Sequence, residues 1–223
     1  IGLLHILFEA GDIQTNEQTP LHQDRKTRLC SRLAEHLSLA LANLKLQEEL
    51  KVKSTQDSLT GLANRRYMEE IMQRQFHRLL RYNTPCSLIM IDVDHFKKFN
   101  DKYGHDMGDF VLCELGRYLQ DNSRGEDLAC RFGGEEFIII MVDTDIDRAH
   151  RKAKKMCAEI SQAISIPHLS QKIGITVSIG VASSPVHGKN MTDLLKSADN
   201  ALYQAKSNGR NRVEVAEVEN NTM

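Results

Sequence analysis

The sequence predicts an α/β protein of the α+β kind, with a central, mostly antiparallel sheet flanked by helices. Two observations carry this. Between Ser87 and Ala182, apolar runs of strand length alternate with helical patterns in the order β-α-β-β-α-β, the split-βαβ arrangement. Within that order, Gly133-Gly134 separates two β-rich runs, a strong signal for a tight hairpin. The 223 residues, 41% hydrophobic and 26% charged, suffice for one full domain plus an appendage.

Residues 1–8 read as a buried strand without a partner of its own, followed by a polar stretch to about Gln23. From Asp24 to Thr55 the pattern is helical. Leu29, Leu33, Leu37, Ala40 and Leu44 form a stripe close to a heptad, and Leu39, Leu46 and Leu50 add a second apolar edge. Two readings stand: a helix packed on a neighbouring domain, or a short parallel coiled coil that pairs two copies. At Asp57 the character changes to a turn. Asn64 is placed to cap a helix that runs to about Arg81.

The next elements are a strand over Ser87–Val93 and helices over His95–Tyr103 and Gly108–Gln120. The hairpin Leu128–Phe132 and Glu135–Val142 follows, then a long amphipathic helix over Asp145–Ile164. A strand over Ile173–Ala182, a helix over Thr192–Ser207 and a last strand over Arg212–Val215 complete the chain. In a split-βαβ sheet the first and third strands lie side by side and antiparallel. Asp92, at the end of one, then meets Glu135, at the start of the other, beside the Gly-Gly turn. Two carboxylates converging there make a hard-cation site. With a nucleotide's phosphates the site suits two-metal phosphoryl transfer.

Composition narrows the classes. The formal net charge of −1 implies no general attraction to nucleic acid or membrane. The five cysteines, Cys30, Cys86, Cys113, Cys130 and Cys157, form no CxxC pair and read as reduced thiols of a cytoplasmic protein. No apolar run approaches the roughly 20 residues of a membrane span. The chain opens on Ile1 without a signal-peptide pattern, which reads as a piece of a longer protein whose anchor, if any, lies upstream.

Five blocks then coincide: Asp57-Ser-Leu-Thr-Gly-Leu-Ala-Asn-Arg-Arg66, Asp92-Val-Asp-His-Phe-Lys-Lys-Phe-Asn-Asp101, Gly104-His-Asp-Met-Gly-Asp109, Arg131-Phe-Gly-Gly-Glu-Glu-Phe137 and Lys206-Ser-Asn-Gly-Arg-Asn211. In this order they resemble the signature of GGDEF domains, the bacterial diguanylate cyclases, over about residues 55–216. Glu135 stands where the family name has Asp. The resemblance implies a palm-like, nucleotidyl cyclase-like core and condensation of two GTP into cyclic di-GMP with Mg²⁺ or Mn²⁺. It implies a homodimer, because each domain would hold one GTP.

By the same resemblance Asp92, Glu135 and the Val93 carbonyl are metal ligands, and Glu136 supports them. Gly133 and Gly134 admit the triphosphate, Asn100 and Asp109 read guanine, Lys97 supports the phosphates, and Lys206 and Arg210 clamp their far end. Arg124-Gly-Glu-Asp127 is similar to the family's RxxD site for inhibition by cyclic di-GMP; Arg148 or Arg151 is expected to complete it. The resemblance divides the chain into a GAF-like sensor remnant (1–23), a signalling helix (24–55), the catalytic domain (56–216) and a disordered tail (217–223).

Blander roles suit some residues. Asp94 reads as a cap of the helix after it, with ligation as the alternative. His95 and His105 read as turn or packing residues. Asp57 with Arg65 and Arg66 reads as a salt bridge fastening the linker, and Arg151–Lys155 as a solvated face. Two other functions compete: an inactive receptor for GTP or cyclic di-GMP, and a cyclase acting on ATP. The intact Gly-Gly-acid-acid block and Asp92 argue against the first, Asn100 and Asp109 against the second.

Overall fold

The computed structural model describes residues 20–82, 84–164 and 174–218. The chain divides into two compact units, residues 1–52 and 53–223. The first contains most of α1 (Pro20–Thr55), which starts four residues before the periodicity predicts. Its large apolar side chains, including Leu29, Leu33, Leu37, Leu41 and Leu44, are exposed. The strand expected over residues 1–8 lies outside the described residues. No described helix is long and apolar enough to cross a membrane.

The second unit holds β1 (Ala63–Asn64), α2 (Arg65–Tyr82), β2 (Cys86–Val93), α3 (Phe96–Tyr103), α4 (His105–Asp121), β3 (Leu128–Gly133) and β4 (Glu136–Val142). It closes with α5 (Ile146–Ala163), β5 (Val177–Ser184), α6 (Met191–Ser207) and β6 (Val213–Val215). One sheet runs β1-β3-β4-β2-β5-β6. The predicted βαββαβ core stands: β2 pairs antiparallel with both β4 and β5. β1 is too short to show in the sequence and adds a parallel edge to β3.

All eight residues of β2 are buried, and its two-residue period separates two cores. Ile89, Ile91 and Val93 face Leu112 and Leu115 of α4 and Ala153 and Ile160 of α5. Leu88 and Met90 face Met68 and Met72 of α2 and Leu194 and Leu202 of α6. Helices on both faces cover the middle of the sheet, so the central strands reach solvent at their ends. Burial pushes the Cys86 and Cys130 thiols up to about 12, so both stay protonated at neutral pH.

Local signals behave as expected at α2, where the Tyr67 N–H donates to Asn64 Oδ1 at 2.9 Å. The hairpin differs by one residue. Arg131 pairs with Phe137 and Gly133 with Glu136, so Phe132 is an extra residue bulged out of β3. The two loop residues are therefore Gly134 and Glu135, with Gly134 at φ 44°. Glu135 sits in the turn, and Glu136 alone opens β4.

Candidate metal and nucleotide site

The buried end of β2 sets the site. Asp92, 6% exposed, is the register partner of Glu136, and the Val93 N–H donates to the Glu135 carbonyl at 3.3 Å. Strand pairing thus brings Asp92, Val93, Glu135 and Glu136 to one edge, as the sheet order predicts. Lys206 in the last turn of α6 places its Nζ 2.8 Å from Asp92 Oδ2. Lys97, Lys98 and Arg210 join Lys206, Asp92 and Glu135 around a cleft of about 310 Å³. Two hollows of about 380 Å³ beside α6 are larger, but neither contains these acids.

The acids strain against one another. Burial raises the Asp92 pKa above the usual carboxylate range, with Lys206 opposing. Glu135 and Glu136 are raised too, first by burial and then by the charge on Asp92. Extra positive charge would relieve all three. Among the described residues no three His, Cys, Asp or Glu side chains form a ready metal cage. Mg²⁺ does not need one: it commonly takes one or two carboxylates, water and substrate phosphate oxygens. Asp92, Glu135 and the Val93 carbonyl are hard oxygen donors of that kind.

Arg131 carries a role that its place in the motif did not reveal. Its guanidinium donates to the Gly134 carbonyl from Nε (3.0 Å) and Nη2 (2.8 Å) and to Asp57 Oδ1 from Nη1 (3.0 Å). The pairing expected between Asp57 and Arg65 or Arg66 is therefore corrected. Asp57 takes Arg131 and the Thr60 N–H and hydroxyl, while Arg65 takes Glu69. Arg66 does tie down the end of α1, donating to the Ser54 carbonyl at 2.9 Å. Asp57 and Arg131, like Asp92 and Lys206, are an acid and a base in two different blocks, the signal that could have found the pair.

Asp94 is not a helix cap. His95 occupies the cap position of α3 at φ 58° without a capping side chain, and Asp94 instead bonds to β5 and to Asn211. Asn100 and Asp109 lie on α3 and α4. Among the described residues Asn100 Oδ1 is a buried side-chain oxygen without a hydrogen-bond partner. A Cβ at Gly108 would come within 1.9 Å of that oxygen, so only glycine lets the amide lie there.

At the far approach to β3, the Asp127 side chain is 3% exposed and pairs with Lys152 at 2.8 Å. It also accepts from the Arg124 N–H at 3.1 Å. The basic residue of α5 that reaches Asp127 is Lys152; Arg148 and Arg151, expected to complete a product site, lie on the same helix.

The family described as "Diguanylate cyclase, GGDEF domain" matches residues 54–212. The response regulator PleD of Caulobacter vibrioides is 44% identical over 158 residues, 70% of this chain and 35% of that protein. The coiled coil and GGDEF domain of DgcB from Caulobacter crescentus, solved in complex with c-di-GMP, superposes with a TM-score of 0.76 at 29% identity. That match covers 84% of this chain and 99% of that one. The active GGEEF domain of a diguanylate cyclase from Vibrio cholerae gives a TM-score of 0.65 at 36% identity, covering 70% and 98%. The chain spans about half or less of the length of the curated relatives it matches. The sheet that joins Asp92 to the Gly-Gly-Glu-Glu turn and the match over residues 54–212 lead to one conclusion: this chain belongs to the GGDEF family.

Proposed function

We propose that this chain is a diguanylate cyclase, joining two GTP molecules into cyclic di-GMP with release of two pyrophosphates. The observation that carries the reading is the meeting of Asp92, Glu135 and Glu136 at one sheet edge, opposite Lys206 and Arg210. In each half-reaction the 3′-hydroxyl of one GTP attacks the α-phosphorus of the other in line, and pyrophosphate leaves. Asp92, Glu135 and the Val93 carbonyl would hold Mg²⁺ or Mn²⁺, which activates the hydroxyl and offsets developing charge.

The remaining roles belong to the chain's own groups. Gly133 and Gly134 keep side chains away from the triphosphate. Lys97 supports the phosphates, and Lys206 and Arg210 hold their far end through charge-assisted bonds. Glu136 keeps the edge negative. The unpartnered Asn100 Oδ1 and the exposed Asp109 accept from guanine's N1–H and amino group. Each domain binds one GTP, so two copies face each other, and the apolar stripe of α1 raises their local concentration. Arg124 and Asp127 bind product and restrain the enzyme.

Incubation with GTP and Mg²⁺ is expected to yield cyclic di-GMP, and Glu135→Ala to abolish it. Wild-type turnover by that variant would remove Glu135 from the mechanism; ATP consumed as readily as GTP would remove Asn100 and Asp109 as guanine readers.

A further inference from the structure

Asp94 is a buried acid, 8% exposed, for which the mechanism has no use. Its carboxylate is nonetheless fully engaged. Oδ1 accepts from the Ser178 hydroxyl at 2.6 Å, and Oδ2 from the Thr176 hydroxyl at 2.7 Å and the Asn211 N–H at 3.0 Å. Two of these donors belong to β5 or the residue just before it. The third lies 117 residues away in sequence, in the segment after α6.

That segment needs holding. Arg210 (φ 64°) and Asn211 (φ 47°) are consecutive non-glycine residues in the left-handed region, a conformation side chains disfavour. It persists only where tertiary bonds impose it. The Arg210 N–H donates to the Ala205 carbonyl at 3.0 Å, and beyond the segment the Ile179 N–H donates to the Arg212 carbonyl at 2.9 Å. Asp94 accepts from the N–H of the peptide that joins Arg210 to Asn211, whose carbonyl takes the Arg212 Nε–H at 3.3 Å within the segment. The Cys157 thiol also reaches Asn211 Oδ1, at 3.8 Å, but among the described residues Asp94 alone bonds this backbone to the end of β2.

Two acids at the end of β2 thus grip the two ends of one segment. Asp92 takes the Lys206 ammonium, and Asp94 takes the Asn211 backbone. Between those grips lies Arg210, on the wall of the cleft. We propose that Asp94 is a positioning residue for the phosphate clamp: by fixing the Arg210–Asn211 peptide, it sets where the Arg210 guanidinium meets the terminal phosphates. Asp94 touches no substrate itself. The inference rests on the clamp role given to Lys206 and Arg210 above. Small misplacement of a positioning group can cost on the order of a hundredfold in rate.

The test compares Asp94→Ala with Asp94→Asn. Both remove the negative charge, but an amide oxygen turned toward Asn211 keeps that bond, while its N–H₂ serves Ser178. Nucleotide affinity with Mg²⁺ is read for GTP and for GMP, which lacks the phosphates that the clamp holds. Asp94→Ala is expected to weaken GTP about tenfold and GMP less than twofold, and Asp94→Asn to recover most of the GTP loss. Unchanged GTP affinity, parallel loss of GTP and GMP, or an asparagine variant as weak as the alanine variant would each overturn the proposal.

Amide exchange across residues 208–212 reads the tether without nucleotide. It is expected to quicken in Asp94→Ala, and unchanged exchange overturns the tether. Should that variant not fold, Ser178→Ala removes one donor and leaves the acid; a selective twofold to threefold loss of GTP supports the proposal, and no loss defeats it. A wild-type chain that makes no cyclic di-GMP, but whose Asp94→Ala variant selectively loses GTP, would sink the cyclase reading and leave the tether standing.

Discussion

Arg131 Nη1 lies 3.0 Å from Asp57 Oδ1, while the same guanidinium holds the Gly134 carbonyl of the hairpin turn. One planar fork therefore ties the residues just after α1 to the loop that carries Glu135. A lysine ammonium, a compact point charge, cannot reproduce the paired bonds to the Gly134 carbonyl while also reaching Asp57. Arg131→Lys is expected to cut turnover at least tenfold and to cost about 1 kcal/mol of stability, the scale of one part-exposed ion pair. Steady-state kinetics and thermal unfolding check this. Wild-type turnover in Arg131→Lys would show that the turn holds itself.

The acid cluster should make metal-free stability depend on pH. Burial raises the pKa of Asp92, Glu135 and Glu136 in the folded protein, and the Asp92 charge raises the two glutamates further. In that window the folded state binds protons that the unfolded chain has released, so stability falls as pH climbs above the ordinary carboxylate range. In EDTA, Glu135→Gln is expected to raise the melting temperature at pH 7.5 by about 1–3 °C. Mg²⁺ should stabilise the wild type at that pH and leave the variant nearly unmoved. Equal Mg²⁺ responses would argue that Glu135 is no ligand.

Lys152 and the product compete for Asp127 if the RxxD motif binds cyclic di-GMP. Lys152→Ala leaves a nearly buried carboxylate without its cation. Half-inhibition is expected at a threefold or greater lower product concentration, with some loss of stability. Asp127→Ala should instead abolish inhibition and preserve the initial rate. Progress curves with added cyclic di-GMP distinguish the outcomes, and unaltered inhibition in Asp127→Ala would place the regulatory site elsewhere.

The stripe on α1 predicts concentration dependence. Specific activity should rise with protein concentration, and Leu37→Glu with Leu44→Glu should shift the midpoint at least tenfold upward. Sedimentation of the same samples ties that shift to assembly. Activity that stays flat from nanomolar to micromolar would separate turnover from the helix.

The sequence revealed the sheet because β2, β4 and β5 are apolar runs whose order admits few topologies. The convergence of Asp92 and Glu135 at one edge could be foreseen from strand order, although the register partner of Asp92 is Glu136. Smaller displacements were hidden. The bulge at Phe132 moves the turn by one residue, and nothing in an apolar aromatic beside two glycines declares it. Asp94 read as a cap because an acid before a helix usually is one. Its partners, Thr176, Ser178 and Asn211, lie more than 80 residues away in sequence. Arg131 and Lys152 show the same limit: a long side chain chooses among acids by three-dimensional reach, which spacing does not encode.

The bare Cα of Gly108 has a consequence of its own. Alanine usually strengthens a helix interior by about 1 kcal/mol over glycine. Here the added methyl would evict the Asn100 amide, 1.9 Å from where it would sit. Under the guanine-reading role proposed for Asn100, base choice then hangs on the missing side chain of its neighbour. A mutation scored as harmless, even stabilising, on the helix alone is expected to weaken base selection while leaving Asp92 and Glu135 where they are.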